Sequence, residues 1–468
     1  TYKDILLNGL KNFNVNFLDG ITGSGKTEIY FEIIFNNLIQ KKQSLILLPE
    51  ISLTNDWKNR FKKSFNFEPL IWHSSVQNSN KIKIWRAALR GDPIVVAGAR
   101  SSLFLPFSNL GIIVVDEEHD AGYKQEEKVI YHARDMAIFR AQTNNIPILL
   151  ASATPSLDTW LNAGANPNKE NINIQNKYWH HWKLNTRFGN ANLPVIKLID
   201  LKTSRPKKGC WLAPETLANL SENLTRKEQS LLFLNRRGYA PITICEECGY
   251  KVKCNHCDTQ LVYHKFKEEF LCHYCGKNEK KTESCPKCNS VDSLRGIGPG
   301  VEKLKEEVKI NFPKAKVEIL SSDLISSSEN LENFCKLVTN GEIDILIGTQ
   351  IVAKGHNFPN LTFVAVVDAD IGFNGGDLRA GEKTFQLLIQ VSGRAGRSTK
   401  PGRVFIQTLQ IDHPVIKAIN FDNSTSDKNL ETNLKLINAR DNFYLNEALM
   451  RRSAKMPPFG NLATITVK

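Results

Sequence analysis

The run Gly20-Ile21-Thr22-Gly23-Ser24-Gly25-Lys26-Thr27 has the residue types needed to hold a polyphosphate. Its glycines let backbone N–H groups close round a phosphate at a helix start, where the peptide dipoles favour an anion. Lys26 adds a cation for the outer phosphates, and the Thr27 hydroxyl is a ligand type for Mg2+. Two carboxylates, Asp116 and Glu117, follow the apolar run 111–115 in GIIVVDEEH. Asp116 suits Mg2+, directly or through water, and Glu117 suits the orientation of an attacking water. Four small residues, SATP at 152–155, close a further apolar run and can sense and relay the state of a γ-phosphate.

Sulfur supplies a second chemistry. Eight of the ten cysteines form four Cys-x-x-Cys pairs: Cys245/Cys248, Cys254/Cys257, Cys272/Cys275 and Cys285/Cys288. A pair two residues apart can aim both thiolates at one ion, and two pairs complete a tetrahedral Zn2+ site. The spacings favour a nested arrangement. Fourteen residues between Cys257 and Cys272 make a good ribbon, whereas five between Cys248 and Cys254 make a tight one. Cys254, Cys257, Cys272 and Cys275 then form an inner site, and Cys245, Cys248, Cys285 and Cys288 an outer one. Closed four-cysteine sites have no open coordination position, so both zincs are expected to be structural. His256, His264 and His273 lie among the pairs but are superfluous as ligands.

These residues must be held by particular elements. The phosphate-binding run lies in VNFLDGITGSGKTEIYFEII, which reads strand, turn, helix. The apolar runs before DEEH and SATP read as buried parallel strands. Acidic residues at the carboxyl end of such a strand sit where ligands of open α/β sheets bind. A second set of strands is expected within 230–240, where SLLFLNRRGYA reads as a strand ending in a basic turn, and at 343–347 and 364–368. QLLIQVSGRAGR (386–397) carries Arg394 and Arg397 three apart, able to reach phosphate oxygens bidentately across a cleft, with Gln390 helping to close it. GIGPG (296–300) lacks the Lys-Ser/Thr pair of a phosphate loop and reads as a plain turn. Lys354 and His356 can serve either DNA or nucleotide.

Composition bounds the rest. The chain has 468 residues, 41 % apolar and 23 % charged, a globular balance with room for about three domains. No stretch approaches the roughly 18–20 apolar residues of a membrane helix, and no secretory signal pattern is seen. A cytoplasmic setting is expected, where clustered cysteines bind metal rather than form disulfides. The net charge of +13 permits an anionic partner.

A phosphate loop, DEEH and SATP, in that order, resemble superfamily 2 helicases. LLPEISLT (47–54), DEEHDAGYKQEEKVIYHARDMAIFRA (116–141) and the nested cysteines narrow the resemblance to the PriA family of bacterial replication-restart helicases. The resemblance implies an α/β fold with two RecA-like P-loop lobes, a Cys-rich double-zinc insert in the second lobe and a partial α/β C-terminal domain. It implies lobe one at 1–200, lobe two at 201–240 and 295–410, the insert at 241–294 and the partial domain at 411–468. Residues 161–195 are expected to connect the lobes, and about 410–468 to be poorly packed alone. The family's N-terminal DNA-binding part and most of its C-terminal domain are expected to lie outside this chain.

The implied activity is ATP- and Mg2+-dependent 3′→5′ DNA unwinding at stalled forks. Implied partners are single-stranded and forked DNA, primosome proteins, single-stranded DNA-binding protein and the replicative-helicase loading machinery. In the family, the tract after DEEH is an aromatic-rich loop that couples DNA contact to hydrolysis; Tyr123 and Lys124 match it. Arg100, in GARS (98–101), matches a strand-contact motif. Two rival readings are a zinc-ribbon assembly platform with weak ATPase and an RNA helicase. The intact phosphate loop, DEEH and paired arginines oppose the first, and the cysteine insert opposes the second.

Overall fold

The structure is a computed structural model. It describes residues 10–463 except 11, 50–54, 127–128, 165–176, 188–192, 236–241, 246, 249, 251, 257–260, 265–268, 273–274, 281–283, 292, 298–299, 322–327, 350–357, 374–376, 397–399 and 421–428.

The first lobe contains β1 (Val15–Gly20), β2 (Gln43–Leu47), β3 (Leu70–Trp72), β4 (Val95–Gly98), β5 (Leu110–Asp116), the hairpin β6 (Lys124–Gln125) and β7 (Tyr131–His132), β8 (Ile148–Ser152) and β9 (Trp179–Leu184). Its helices are α1 (Lys26–Ile39), α2 (Asn55–Phe65), α3 (Asn78–Arg90), α4 (Ala133–Thr143) and α5 (Leu157–Asn162). Seven strands form one parallel sheet in the order β3-β4-β2-β5-β8-β1-β9. Its central strands are buried and largely apolar because helices cover both faces. β5, β8 and β1 are adjacent, with Asp116 opposite Ala151 and Asp19 opposite Ser152. That order, absent from the linear sequence, sets DEEH, SATP and the phosphate loop side by side.

The second lobe contains β10 (Val195–Asp200), β11 (Gln229–Leu234), β12 (Ile242–Cys245), β13 (Val262–His264), β14 (Glu269–Leu271), β15 (Asn278–Lys280), β16 (Leu294–Ile297), β17 (Val317–Leu320), β18 (Ile345–Gly348), β19 (Leu361–Asp368) and β20 (Arg403–Thr408). With them run α6 (Pro214–Thr225), α7 (Val301–Asn311), α8 (Ser328–Thr339), α9 (Ala380–Ser392), α10 (Pro414–Ile419) and α11 (Asn429–Ser453). A six-stranded parallel sheet has the order β10-β20-β19-β11-β18-β17. β12 to β16 form a separate antiparallel sheet between β11 and α7, which is the Cys-rich insert.

Four expectations need correction. β10 pairs with β20, so the strand ending at 200 belongs to the second lobe. Its alternating pattern puts Ile196 and Ile199 into that lobe's cores. Gly296 is not in a turn: it faces Thr243 in the β12–β16 ladder, and the insert therefore runs to Ile297. The connector contributes β9, which pairs along β1 from Trp179 to Leu184 and completes the first sheet.

The fourth correction concerns the carboxyl end. α11 is docked, not loose: Leu436, Ile437, Phe443, Tyr444 and Ala448 are buried in a core shared with Trp160 of lobe one and Phe385 of lobe two. Fully burying each large apolar side chain contributes about 1.5–3 kcal/mol.

Candidate nucleotide cleft and metal centres

The phosphate loop joins β1 to α1. Gly23 and Gly25 have φ of 82° and 83°, which L side chains rarely adopt. A Cβ on Gly20 would fall 2.3 Å from Ser24 Oγ, so the tight turn also needs glycine there. Lys26 Nζ donates to the Gly20 and Ile21 carbonyls at 2.7 and 3.3 Å. The Ser24 hydroxyl is buried with no hydrogen-bond partner, a polar atom aimed at what the loop encloses.

Asp116 ends β5 beside this loop. Its Oδ1 accepts the Glu117 N–H at 3.0 Å and its Oδ2 accepts the Tyr30 hydroxyl at 3.0 Å. Burial and the Glu117 carboxylate push the Asp116 carboxyl up to about 6, against the pull of Lys26. Glu117 itself has φ 47°, a strained backbone of the kind that clusters at functional sites. Its Oε2 is buried without a hydrogen-bond partner, 3.7 Å from His119 Nδ1. A raised acid and an orphaned carboxylate oxygen beside a lysine fit a bound Mg2+ and a water; Thr27, Asp116 and Glu117 are the residues that would hold them.

The last two letters of DEEH also have structural partners. Glu118 is fully buried and accepts the Ser156 N–H at 2.7 Å, the Thr159 hydroxyl at 2.8 Å and Arg134 Nη1 at 3.0 Å. It thereby ties the segment after SATP to β5. His119 Nδ1 meets Ser152 Oγ at 2.8 Å, and its Nε2 meets Thr154 Oγ1 at 3.3 Å and Gln390 Nε2 at 2.6 Å. Gln390 is on α9 of the second lobe, so one imidazole joins DEEH, SATP and the facing lobe. Gly393 packs so closely on Thr22 that a Cβ would lie 2.9 Å from its methyl carbon. Arg394, 8 % exposed, follows in the turn after α9. Arg397, Lys354 and His356 lie outside the described residues.

Three residues expected to contact DNA separate here. Tyr123 does not reach a surface: it is 1 % exposed, and its hydroxyl donates to the Leu47 and Asp116 carbonyls at 3.0 and 2.6 Å. It braces the main chain of Asp116 and cannot stack on bases, a correction to its expected role. Lys124 is exposed and pairs with Glu126 at 3.3 Å. Arg100 Nη1 donates to the Lys124 carbonyl at 2.5 Å, keeping two cations on one edge.

Sequence reasoning overlooked the contacts of α11 with the cleft. Arg440 donates to Asp19, next to the phosphate loop, and to the Ala153 carbonyl at 3.3 Å. Tyr444 OH donates to the Pro155 carbonyl at 2.6 Å, and Arg451 pairs with Glu382 of α9 at 2.8 Å. Charged residues on the buried side of a long helix were the available signal. Their partners lie 421 residues away for Arg440 and 69 for Arg451.

In the insert, the sulfurs of Cys245, Cys248, Cys285 and Cys288 lie within 4.8 Å of one another, as do those of Cys254, Cys272 and Cys275. Cys257 lies outside the described residues. Sγ–Sγ distances are 3.5 Å for Cys245–Cys288, 3.6 Å for Cys248–Cys285 and 3.7 Å for Cys254–Cys275. A tetrahedron with Zn–S bonds of about 2.3 Å has edges of about 3.8 Å. The N–H groups of His256, Cys275 and Lys287 donate to the sulfurs of Cys254, Cys272 and Cys285 at 3.4, 3.5 and 3.4 Å. Such donors favour thiolates. The Ser293 hydroxyl draws the Cys245 thiol down to about 6. The donor sets therefore fit a thiophilic divalent ion.

Two parallel α/β lobes facing each other across a phosphate loop and the α9 terminus define a two-lobed helicase fold. A DEAD/DEAH box helicase profile matches residues 3–162 and a helicase conserved C-terminal domain profile matches 266–399. The chain belongs to the PriA family of replication restart proteins. It is 44 % identical to the replication restart protein PriA of Rickettsia conorii over 95 % of this chain and 65 % of that protein. For the Bacillus subtilis protein the values are 39 %, 97 % and 53 %. The chain thus spans less than two thirds of the length of these relatives. In fold it is similar to RecG bound to a three-way DNA junction, with TM-score 0.50 at 15 % identity, covering 90 % of this chain and 43 % of RecG. The DNA-bound helicase MrfA gives 0.52 at 14 %, covering 95 % and 54 %. Among the described residues no helix is long and apolar enough to cross a membrane.

Proposed function

We propose that the chain is the motor of an ATP-driven DNA helicase that moves 3′→5′ on single-stranded DNA during replication restart. The observation that carries this is the His119–Gln390 contact at 2.6 Å, which links the hydrolytic edge of one lobe to the helix of the other that leads into Arg394. A cleft wired in this way converts nucleotide occupancy into lobe closure. Lys26 and the backbone from Gly20 to Thr27 bind the phosphates. Thr27 and Asp116 hold Mg2+, which neutralises charge on the phosphate oxygens when bound. Glu117 orients the attacking water and accepts its proton. Arg394 and Arg397 stabilise charge developing on the transferred phosphoryl group.

Two structural Zn2+ ions rigidify the insert, one on Cys245, Cys248, Cys285 and Cys288, the other on Cys254, Cys257, Cys272 and Cys275. Forked DNA is the substrate, in the bacterial cytoplasm. Primosome proteins, single-stranded DNA-binding protein and the replicative-helicase loader are the partners. Family membership supports these assignments. The test is strand displacement on partial duplexes. Unwinding that needs a 3′ single-stranded tail and ATP supports the reading; unwinding only from a 5′ tail overturns the polarity.

A further inference from the structure

Tyr30 lies one helical turn beyond Lys26, on the face of α1 that is buried against the rest of lobe one. Its hydroxyl accepts the Trp57 Nε1–H at 2.8 Å. The Thr27 hydroxyl also bonds this oxygen, and an indole nitrogen only donates, so the tyrosine's own proton is left for Asp116 Oδ2 at 3.0 Å. With the Glu117 N–H on Oδ1, both oxygens of the Asp116 carboxylate are oriented by fixed donors. Each oxygen still keeps lone-pair capacity for a ligand.

The far end of this chain is rigid. Trp57 stacks on Phe61 at 5.6 Å between ring centres and meets Phe31 edge-on at 5.8 Å. Phe31 also meets Tyr30 edge-on at 5.2 Å, so α1 and α2 are locked by one aromatic cluster. None of these rings is in the phosphate loop or in DEEH. A phenylalanine at position 30 would fill the same space. The hydroxyl is needed only for its hydrogen bonds with Trp57, Thr27 and Asp116.

We propose that Tyr30, held by Trp57, is a positioning residue for Mg2+: it fixes the carboxylate of Asp116 in the orientation that receives the ion. This rests on the reading of Asp116 as the magnesium residue given above. Without the hydroxyl, the carboxylate can turn away from the neighbouring Glu117 charge, and part of the binding energy of the ion goes to restoring it. The effect belongs to the metal and not to the nucleotide's own contacts with Lys26 and the loop.

The test uses the full chain, methylanthraniloyl-labelled ADP as probe and a Mg2+ titration. In Tyr30→Phe the Mg2+ concentration giving half-maximal tightening rises about tenfold, while affinity in EDTA stays within about twofold. Trp57→Phe keeps an aromatic ring, leaves α1 untouched and shifts the Mg2+ midpoint in the same direction by about two- to threefold. A role in folding alone would lower the melting temperature and weaken both affinities together. An unchanged Mg2+ midpoint in Tyr30→Phe overturns the proposal while leaving the magnesium site intact. A wild-type chain whose nucleotide affinity ignores Mg2+ removes the site reading, and the proposal with it.

Discussion

Arg440 grips both carboxylate oxygens of Asp19, at 2.6 and 2.8 Å, with both side chains about 4 % exposed. The two residues are 421 positions apart. Asp19 immediately precedes Gly20, the first residue of the phosphate loop, and Arg440 sits on α11 beside Asp441, which accepts the Trp160 indole N–H at 3.1 Å. The helix therefore ties the loop that would bind nucleotide to the second lobe's far end. Breaking a buried pair leaves a desolvated charge without compensation, which is costlier than removing both members.

Arg440→Met is expected to lower unfolding free energy by about 3–5 kcal/mol, and the double variant Asp19→Asn/Arg440→Met by clearly less. Urea denaturation measures both. Equal losses in the single and double variants would show that the pair is not what holds α11.

The same pair predicts an acid response. Burial pushes the Asp19 carboxyl up, but Arg440 and His181 outweigh it and hold it well below the usual carboxylate range. A carboxyl depressed in the folded state stabilises fully above its unfolded value, about 3.9, and loses that contribution as pH falls below it. Wild type should lose more stability between pH 5 and about 3 than Asp19→Asn/Arg440→Met does. The comparison is of urea midpoints at the two pH values. Parallel losses would remove Asp19 from the acid response.

For the insert, elemental analysis of the purified chain should give about two Zn per molecule. Cys254→Ser should lose about one and leave the four-sulfur group of Cys245, Cys248, Cys285 and Cys288 loaded. A single ion in wild type, or loss of both in the variant, would contradict two separate centres.

Tyr123→Phe removes an O–H shared between the Asp116 and Leu47 carbonyls and should cost about 1–3 kcal/mol of stability with single-stranded DNA affinity unchanged within about twofold. Arg100→Ala or Lys124→Ala should instead weaken DNA binding and reduce its salt dependence by about one counterion. Fluorescence anisotropy against salt concentration separates the two classes. A DNA defect in Tyr123→Phe at normal stability would return the tyrosine to the binding surface.

Much of this was legible in the sequence, for a physical reason. Phosphate loops, carboxylates after apolar runs and paired thiols are local solutions, so Gly20–Thr27, Asp116 and the cysteine pairs declare themselves by spacing. Strand order is not local: nothing in the residues says that β1 lies between β8 and β9. Tyr123 shows the limit most clearly. Beside Lys124 it reads as a base-stacking aromatic, yet its ring is needed to fill the core under β5, and burial settled its role. Arg440 and Tyr444 could be marked only as polar groups on a long helix, because the partners of such groups are set by the fold.

The central claim is a nucleotide-driven DNA motor. It is tested most directly by steady-state ATP hydrolysis with and without single-stranded DNA, in wild type and Lys26→Ala, with zinc content as the folding control. The account predicts DNA-stimulated hydrolysis in wild type and a fall of at least about a hundredfold in Lys26→Ala at unchanged zinc content. Hydrolysis indifferent to DNA, or undiminished in Lys26→Ala, would contradict it.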